Sequence, residues 1–277
     1  MRPLVLKFGG ELLETSEDRA RVSTLLRAVV NERPLVVIHG GGRAIDRELA
    51  RRAIAPRKVD GLRITDAATL EAVVAVLAGS SNTDLVSAAV AQGVRAVGLT
   101  GVDAGFGRSR RTAAYAATDG STVDLEFVGD PEDVDPSLVQ LLLGGGFVPV
   151  IASLGVEAGP DARPGQVLNV NADVMACRLA AALGDADLVI AGGTPGVFGA
   201  DGSSIPALDL AGIDRLIDSG TATAGMVAKL AACRTALASG VRSVRLIDGR
   251  RLDATHGVAD APGTTIVASL GSESVTA

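Results

Sequence analysis

The sequence predicts an α/β protein: a three-layer αβα sandwich around a mostly parallel central sheet, built as one large domain or two lobes. Three observations predict it. Short runs of apolar, mostly β-branched residues, such as Leu35, Val36, Val37 and Ile38, read as strands buried on both faces. Between them lie longer stretches whose apolar residues recur at helical spacing. Several runs also end in glycine, at Gly9 and Gly10, at Gly40, Gly41 and Gly42, and at Gly192 and Gly193. In parallel sheets ligands bind beyond strand ends of this kind. At 277 residues the chain is long enough to bury a large core.

Residues 4–8 read as the first strand. Thr15, followed three residues later by Asp18, predicts a capping box, and the helix it opens carries Val22, Leu25, Leu26, Val29 and Val30 on one face. Pro34 closes the connection and a strand over 35–39 follows. Three glycines then lead into a helical pattern from Arg43, so unpaired backbone N–H groups and the positive end of a helix dipole converge where an anion binds. The opening thus reads β–α–β–α with a right-handed crossover.

Residues 58–65, polar with one glycine, predict a hairpin or loop. Asp66 caps a helix carrying Leu70, Val73, Val74 and Leu77, and Asn82 starts another that Gly93 stops. A strand follows over 95–99. The Gly- and Arg-rich stretch 101–112 predicts a loop, and 113–118 pairs with 122–128 around Asp119 and Gly120. A helix over 136–143, a strand over 147–151 and a Gly/Pro-rich loop over 155–165 come next. Asn171 caps a helix to residue 183, and a strand over 187–191 ends at Gly192. Helices follow over 209–219 and around Met226, Leu230, Cys233 and Leu237, with final strands over 244–247 and 264–267.

Composition excludes several classes of function. A net charge of −6 and an aromatic content of 2 %, without tryptophan, argue against a nucleic-acid partner, which needs basic patches and stacking platforms. Cys177 and Cys233 lie far apart in apolar helical patterns and read as core residues rather than a redox pair. No signal-peptide pattern opens the sequence and no apolar run reaches the ~18 residues of a membrane span. The expectation is a cytoplasmic protein with no membrane partner. The only histidines are His39 and His256, so no metal cluster is expected. His39 at a strand end is either a hydrogen-bonded structural residue, the commoner case, or a general base.

The familiar phosphate motifs are absent. There is no G-x-x-x-x-G-K-[ST], and Ile45 stands where a dinucleotide fingerprint requires its third glycine. The remaining chemistry is distributed. Lys7 ends a buried strand beside Gly9 and Gly10, where an ammonium group is costly unless it meets an anion. Asp173 and Lys229 each sit near a helix start. Two lysines, one carboxylate and two glycine turns suit phosphoryl transfer, whose charge is met by fixed cations and backbone N–H groups. Taken singly, Lys229 reads equally as a solvated helix charge and Asp173 as a helix-dipole partner.

Five motifs together carry a resemblance: Lys7-Phe8-Gly9-Gly10, His39-Gly40-Gly41-Gly42, Gly61-Leu62-Arg63-Ile64-Thr65, Leu168-Asn169-Val170-Asn171-Ala172-Asp173 and Gly225-Met226-Val227-Ala228-Lys229. In this order and spacing, over essentially the whole chain, the sequence resembles the amino-acid kinase family, most closely its members acting on N-acetyl-L-glutamate. The resemblance implies ATP-dependent phosphorylation of that substrate's side-chain carboxylate, on the route to arginine, with Mg2+ bound alongside the nucleotide. It implies that residues 1–176 form a lobe for substrate binding and dimerisation and residues 177–277 a lobe for ATP. It assigns Lys7 and Lys229 to the transferring phosphoryl group and Asp173 to holding the two lysines. Gly41, Gly42, Arg63 and Asn169 would hold the substrate, Arg63 through its α-carboxylate. Gly9, Gly10, Gly193, Thr194, Gly196, Phe198, Thr221, Thr223 and Met226 would line the ATP site.

Two places depart from the family pattern. Gly193 stands where members often carry an acidic residue, in a segment reading Ser/Thr-Asp-x-x-Gly. Three arginines also crowd residues 105–111, partly resembling relatives that phosphorylate a carrier-linked aminoadipate. The rival readings are therefore a kinase for aminoadipate or N-succinylglutamate, a non-catalytic amino-acid sensor, and a nicotinamide enzyme. Arginine-inhibited relatives carry an additional N-terminal helix that links dimers into a ring. Here residues 1–3 lead into the first strand, so the expectation is a homodimer that L-arginine does not inhibit.

Overall fold

The computed structural model describes residues 1–112, 114–117, 119–222, 224–252 and 257–270. Eight strands form the central sheet, in the order Ala207–Leu208, Gly263–Val267, Ser243–Asp248, Asp187–Gly192, Leu4–Phe8, Leu35–His39, Val148–Ala152, Ala96–Thr100. The six from Ser243–Asp248 to Ala96–Thr100 are parallel, as the sequence predicts. Gly263–Val267 runs antiparallel to Ser243–Asp248 and parallel to the short edge strand Ala207–Leu208. This is the predicted α/β architecture.

The helices are α1 (Ser16–Glu32), α2 (Gly42–Arg51), α3 (Ala67–Val74), α4 (Asn82–Ala91), α5 (Ser137–Gly144), α6 (Ala172–Leu183), α7 (Leu210–Asp218) and α8 (Ala224–Ala238). They cover the sheet on both sides. Along the first strand Leu4, Leu6 and Phe8 face one layer, where Val22, Leu25 and Leu26 of α1 and Leu85 and Ala89 of α4 pack. Val5 faces the other, with Met175 and Leu179 of α6, Ile213 of α7 and Leu230 of α8. Strand alternation therefore sends Lys7, two residues after Val5, to the α6 face. Burying such a Leu or Val stabilises the fold by roughly 1.5–3 kcal/mol.

Local signals hold where they are made of backbone chemistry. Thr15 and Asp18 complete the capping box of α1, with the Asp18 N–H donating to Thr15 Oγ1 at 3.0 Å. Asp66 caps α3, Asn171 caps α6 and Asp209 caps α7. Residues 58–65 do form a hairpin, Lys58–Val59 against Leu62–Arg63. Within the predicted hairpin around Asp119, Tyr115–Ala116 pairs with Thr122–Val123.

Three expectations are corrected. Asn82 is the first residue of α4 but does not open a separate helix. It lies inside a continuous helix over Ala67–Ala91, in which a π-helical stretch, Ala75–Ser81, joins α3 to α4. Its buried amide donates to Val150 O at 2.9 Å and to the His39 ring instead of capping. By length and composition this helix qualifies to cross a membrane, with a mean hydropathy of 1.4, although no uninterrupted apolar run reveals it in the sequence.

The segment 101–112 is not all loop, and neither is 155–165. Gly107–Arg111 and Leu154–Glu157 are strands of a closed four-stranded barrel with Val128–Val134 and Val167–Val170. The barrel interior is so tight that glycine and serine line it around Leu168. Gly107 and Ser109 are buried while Arg108 and Arg110 face out. A Cβ on Gly155 would lie 2.4 Å from Ser109 Oγ. The alternation of period two is present, but in residue size rather than hydrophobicity.

Candidate active site

Parallel register brings three strand ends together. Lys7 stands beside Ile38 and Ile190, and Phe8 beside His39 and Ala191. The turns that follow, Gly9 and Gly10, Gly40 to Gly42, and Gly192 and Gly193, therefore share one edge of the sheet. A Cβ on Gly10 would lie 2.7 Å from Gly41 Cα, so two of these turns touch backbone to backbone. No side chain caps α2 at Gly41, which leaves the first N–H groups of that helix available to a ligand.

Asp173 sits in the first turn of α6, which the Asn171 side chain fixes by accepting the N–H of Asp173 at 2.8 Å. Its carboxylate bridges two lysines from distant parts of the chain. Lys7 Nζ is 2.7 Å from Oδ1 and Lys229 Nζ is 2.6 Å from Oδ2. The Lys229 contact is a charge-assisted hydrogen bond, whereas the Lys7 contact is an ion pair without hydrogen-bond alignment. Burial by itself raises the Asp173 carboxyl, but the charges of Lys7 and Lys229 outweigh it and hold the group well below the carboxylate range. Burial likewise pulls the Lys229 ammonium down, and Asp173 more than reverses this, so its proton is held more tightly than usual. Two cations around one anion leave a positive charge in excess at the strand ends.

Arg63 borders the same edge. Its Nη2 donates to Asp46 Oδ1 at 2.6 Å and to Gly42 O at 3.2 Å, while its buried Nη1 has no partner among the described residues. A buried guanidinium N–H without a partner is costly, and a carboxylate ligand would satisfy it. Asn169 donates to Thr65 Oγ1 at 3.1 Å, two residues beyond Arg63. Lys7, Asp173, Lys229, Gly9, Gly10, Gly41, Gly42 and Gly193 thus assemble at one edge, with Arg63 and Asn169 beside it.

The other residues assigned to a nucleotide have different local partners. Thr194 is exposed. Gly196, at φ +116°, is buried where a Cβ would lie 2.6 Å from Thr264 Oγ1. Phe198 is 42 % exposed, Thr221 Oγ1 is 2.9 Å from Ser219 Oγ, and Met226 packs partly buried against the core. Thr223 lies outside the described residues, as does His256.

The structure decides the role of His39. It is fully buried, with Nε2 3.0 Å from Asn82 Nδ2 and Nδ1 3.2 Å from Gly40 O. The amide donates to Nε2, so Nδ1 carries the proton and the imidazole is neutral. Burial lowers its pKa to about 4, against a weaker opposing pull from Gly40. This is a structural histidine, and the general-base alternative falls. Because the folded pKa lies below the unfolded value, the unfolded chain binds the extra proton between pH 6.5 and about 4. Stability from this group is complete above pH 6.5 and falls with pH by about 3 kcal/mol. A His39→Gln variant should lose that acid-limb slope in denaturant titrations, and an unchanged slope would refute the assignment.

Cys177 and Cys233 are both buried, as expected of core residues, and a hydrogen bond between them together with burial raises the Cys177 thiol. Glu11, by contrast, was not picked out by its sequence context, although it follows Gly9 and Gly10 directly. Its Oε1 accepts the Gly193 N–H at 2.8 Å and so ties two glycine turns together.

A parallel α/β sheet whose strand ends carry glycine turns and a Lys–Asp–Lys cluster defines a protein built to bind and act on anions. The sequence pattern of the amino acid kinase family matches residues 2–248, and the chain belongs to that family. The acetylglutamate kinase of Geotalea uraniireducens (strain Rf4) is 38 % identical over 254 residues, covering 90 % of this chain and 85 % of that protein. The acetylglutamate kinase of Symbiobacterium thermophilum is 41 % identical over 256 residues, with the same coverage. Among solved structures, N-acetylglutamate synthase from Neisseria gonorrhoeae, complexed with coenzyme A and N-acetyl-glutamate, superposes with a TM-score of 0.78 at 22 % identity. The match covers 97 % of this chain and 60 % of that one. The protein smu.665 from Streptococcus mutans UA159 superposes with a TM-score of 0.76 at 24 % identity, covering 96 % and 99 % of the two chains. These superpositions show the fold.

Proposed function

We propose that this chain is the kinase that phosphorylates the side-chain carboxylate of N-acetyl-L-glutamate with ATP, yielding N-acetyl-L-glutamyl 5-phosphate in arginine biosynthesis. The observation that carries the chemistry is Asp173 held between Lys7 and Lys229 at 2.7 and 2.6 Å. A carboxylate oxygen of the substrate attacks the γ-phosphorus, the bond to the β–γ bridging oxygen breaks, and ADP leaves with the electron pair. No proton moves, because the attacking carboxylate is ionised at neutral pH. The protein's task is to position the reactants and meet charge on the transferring group. Lys7 and Lys229 do the second, and Asp173 fixes both ammonium groups.

The free Nη1 of Arg63 supports its assignment to the substrate's α-carboxylate, with Asn169 at the acetamido end and the N–H groups of Gly41 and Gly42 at the reacting end. Substrate then belongs to residues 1–176 and ATP, with its Mg2+, to 177–277, with α6 running across that boundary. Mg2+ supplies neutralisation of the β- and γ-phosphate charge. A homodimer through the Ala67–Ala91 helix accounts for an apolar element of which only about a third is buried. Light scattering tests it, and a monomer at micromolar concentration would refute it.

The carrier-linked alternative needs an open basic patch. Instead Arg108, Arg110 and Arg111 each face an acid, Asp133 at 3.9 Å, Glu132 at 2.9 Å and Asp124 at 3.2 Å. The deciding experiment is coupled ATP turnover across N-acetyl- and N-succinylglutamate and acylated aminoadipates, with N-acetyl-L-glutamate giving the highest kcat/KM. Preference for a longer or differently acylated substrate would overturn the reading. Arg63→Lys should raise KM for the amino-acid substrate by ten- to a hundredfold while leaving KM for ATP within about twofold, since the charge survives but the fork is lost. Equal effects on both would place Arg63 outside the substrate site.

A further inference from the structure

Glu11 presents a carboxylate where an anion has to come. It lies in the short 3-10 turn Gly10–Leu12, and its only hydrogen bond among the described residues is from the Gly193 N–H at 2.8 Å. The carboxylate folds back over the first glycine turn, so closely that a Cβ on Gly9 would lie 2.3 Å from its oxygens. It also covers the second turn, since Cβ atoms on Gly192 and Gly193 would lie 3.7 and 3.5 Å from Oε1. Two cations act on it from a distance, and both are engaged elsewhere. Lys229 is bonded to Asp173, and Arg250 holds Asp248 through two contacts of 2.9 Å. No lysine or arginine among the described residues forms an ion pair with Glu11.

A polyphosphate drawn to these turns by Lys7 and Lys229 would meet a fixed like charge, which repels it unless a cation lies between them. Magnesium is bound in this manner: one or two carboxylates plus phosphate oxygens and water, without an all-protein cage. The described residues contain no group of three or more His, Cys, Asp or Glu that could form such a cage. A single hard oxygen donor beside a polyphosphate site fits the ion. We propose that Glu11 anchors the divalent cation that accompanies the nucleotide, so that the site recognises the metal–nucleotide complex rather than the free nucleotide. This rests on the reading of the glycine turns as a nucleotide site.

Glu11→Gln removes the charge but keeps an acceptor for the Gly193 N–H, so the turns stay tied. The test is calorimetric titration of ADP into wild type and variant, with MgCl2 and with EDTA. The expected result is an opposite response in the two buffers. The variant binds Mg·ADP about ten- to a hundredfold more weakly than wild type, and binds metal-free ADP at least as tightly. With Mn2+ as probe, the water-proton relaxation of the ternary complex should also change on substitution. Equal weakening in both buffers would show that Glu11 only ties the turns, and no change in either would make it a bystander. Both results overturn the proposal. A wild-type chain that binds ADP in neither buffer overturns the kinase reading, and this proposal with it, before any variant is made.

Discussion

Lys7→Ala lowers kcat by about 10²–10³ while the chain stays folded, the loss typical when one fixed donor to developing charge is removed. The expectation follows from where the ammonium group sits. It ends a strand buried in the middle of the sheet, 2.7 Å from Asp173, at the edge where three glycine turns meet. The fold survives its loss because Val5 and its neighbours supply the apolar contacts of that face and Asp173 keeps Lys229 as a partner at 2.6 Å. The loss should fall on kcat more than on KM for ATP, because charge accumulates most on the phosphoryl oxygens during transfer. Pre-steady-state turnover with a folding check by circular dichroism separates the outcomes. A folded variant within tenfold of wild type would remove Lys7 from the catalytic set.

Asp173→Ala has a different signature, because it damages stability and turnover together. Removing the carboxylate leaves two ammonium groups, both largely buried, facing each other without a partner. Removing one member of a buried ion pair destabilises by about 3–5 kcal/mol, mostly through the charge left behind. One lysine should then hold its proton less tightly than in wild type, giving the variant an alkaline-side rise of stability with pH, distinct from the acid-side rise that His39 gives wild type. Asp173→Asn sharpens the test, since it keeps the shape of the side chain but not its charge. Phosphate or ATP should restore part of the stability lost in Asp173→Asn, because an added anion takes the place of the missing one. Turnover within tenfold of wild type in Asp173→Asn would mean that the two lysines hold their positions unaided.

Much of this was legible in the sequence because it depends on local rules. The strands at 4–8 and 35–39 are apolar runs bounded by turn residues. The caps Thr15, Asp66 and Asn171 are side chains serving N–H groups two or three residues away. Family membership was readable too, since five motifs in order carry more information than any one of them. The barrel was not readable, because most of the residues that face inward around Leu168, such as Gly107, Ser109, Gly129 and Gly155, are small and carry no hydrophobic signal. Nor was the continuity of α3 with α4, since Asn82 has the look of a cap until its buried partners His39 and Val150 are known.

The sequence by itself determined the fold class, the layers and the residues able to meet an anion. Only the tertiary structure decided which of them meet. Lys7, Asp173 and Lys229 lie far apart along the chain, and parallel register together with the packing of α6 against the sheet brings their charges within 2.7 Å. The same is true of Glu11, whose carboxylate is unremarkable in the chain and becomes informative only over the backbone of Gly193, 182 residues away. Local propensity is encoded over a few residues, whereas electrostatic pairing depends on distance in space, which the chain fixes only when it folds.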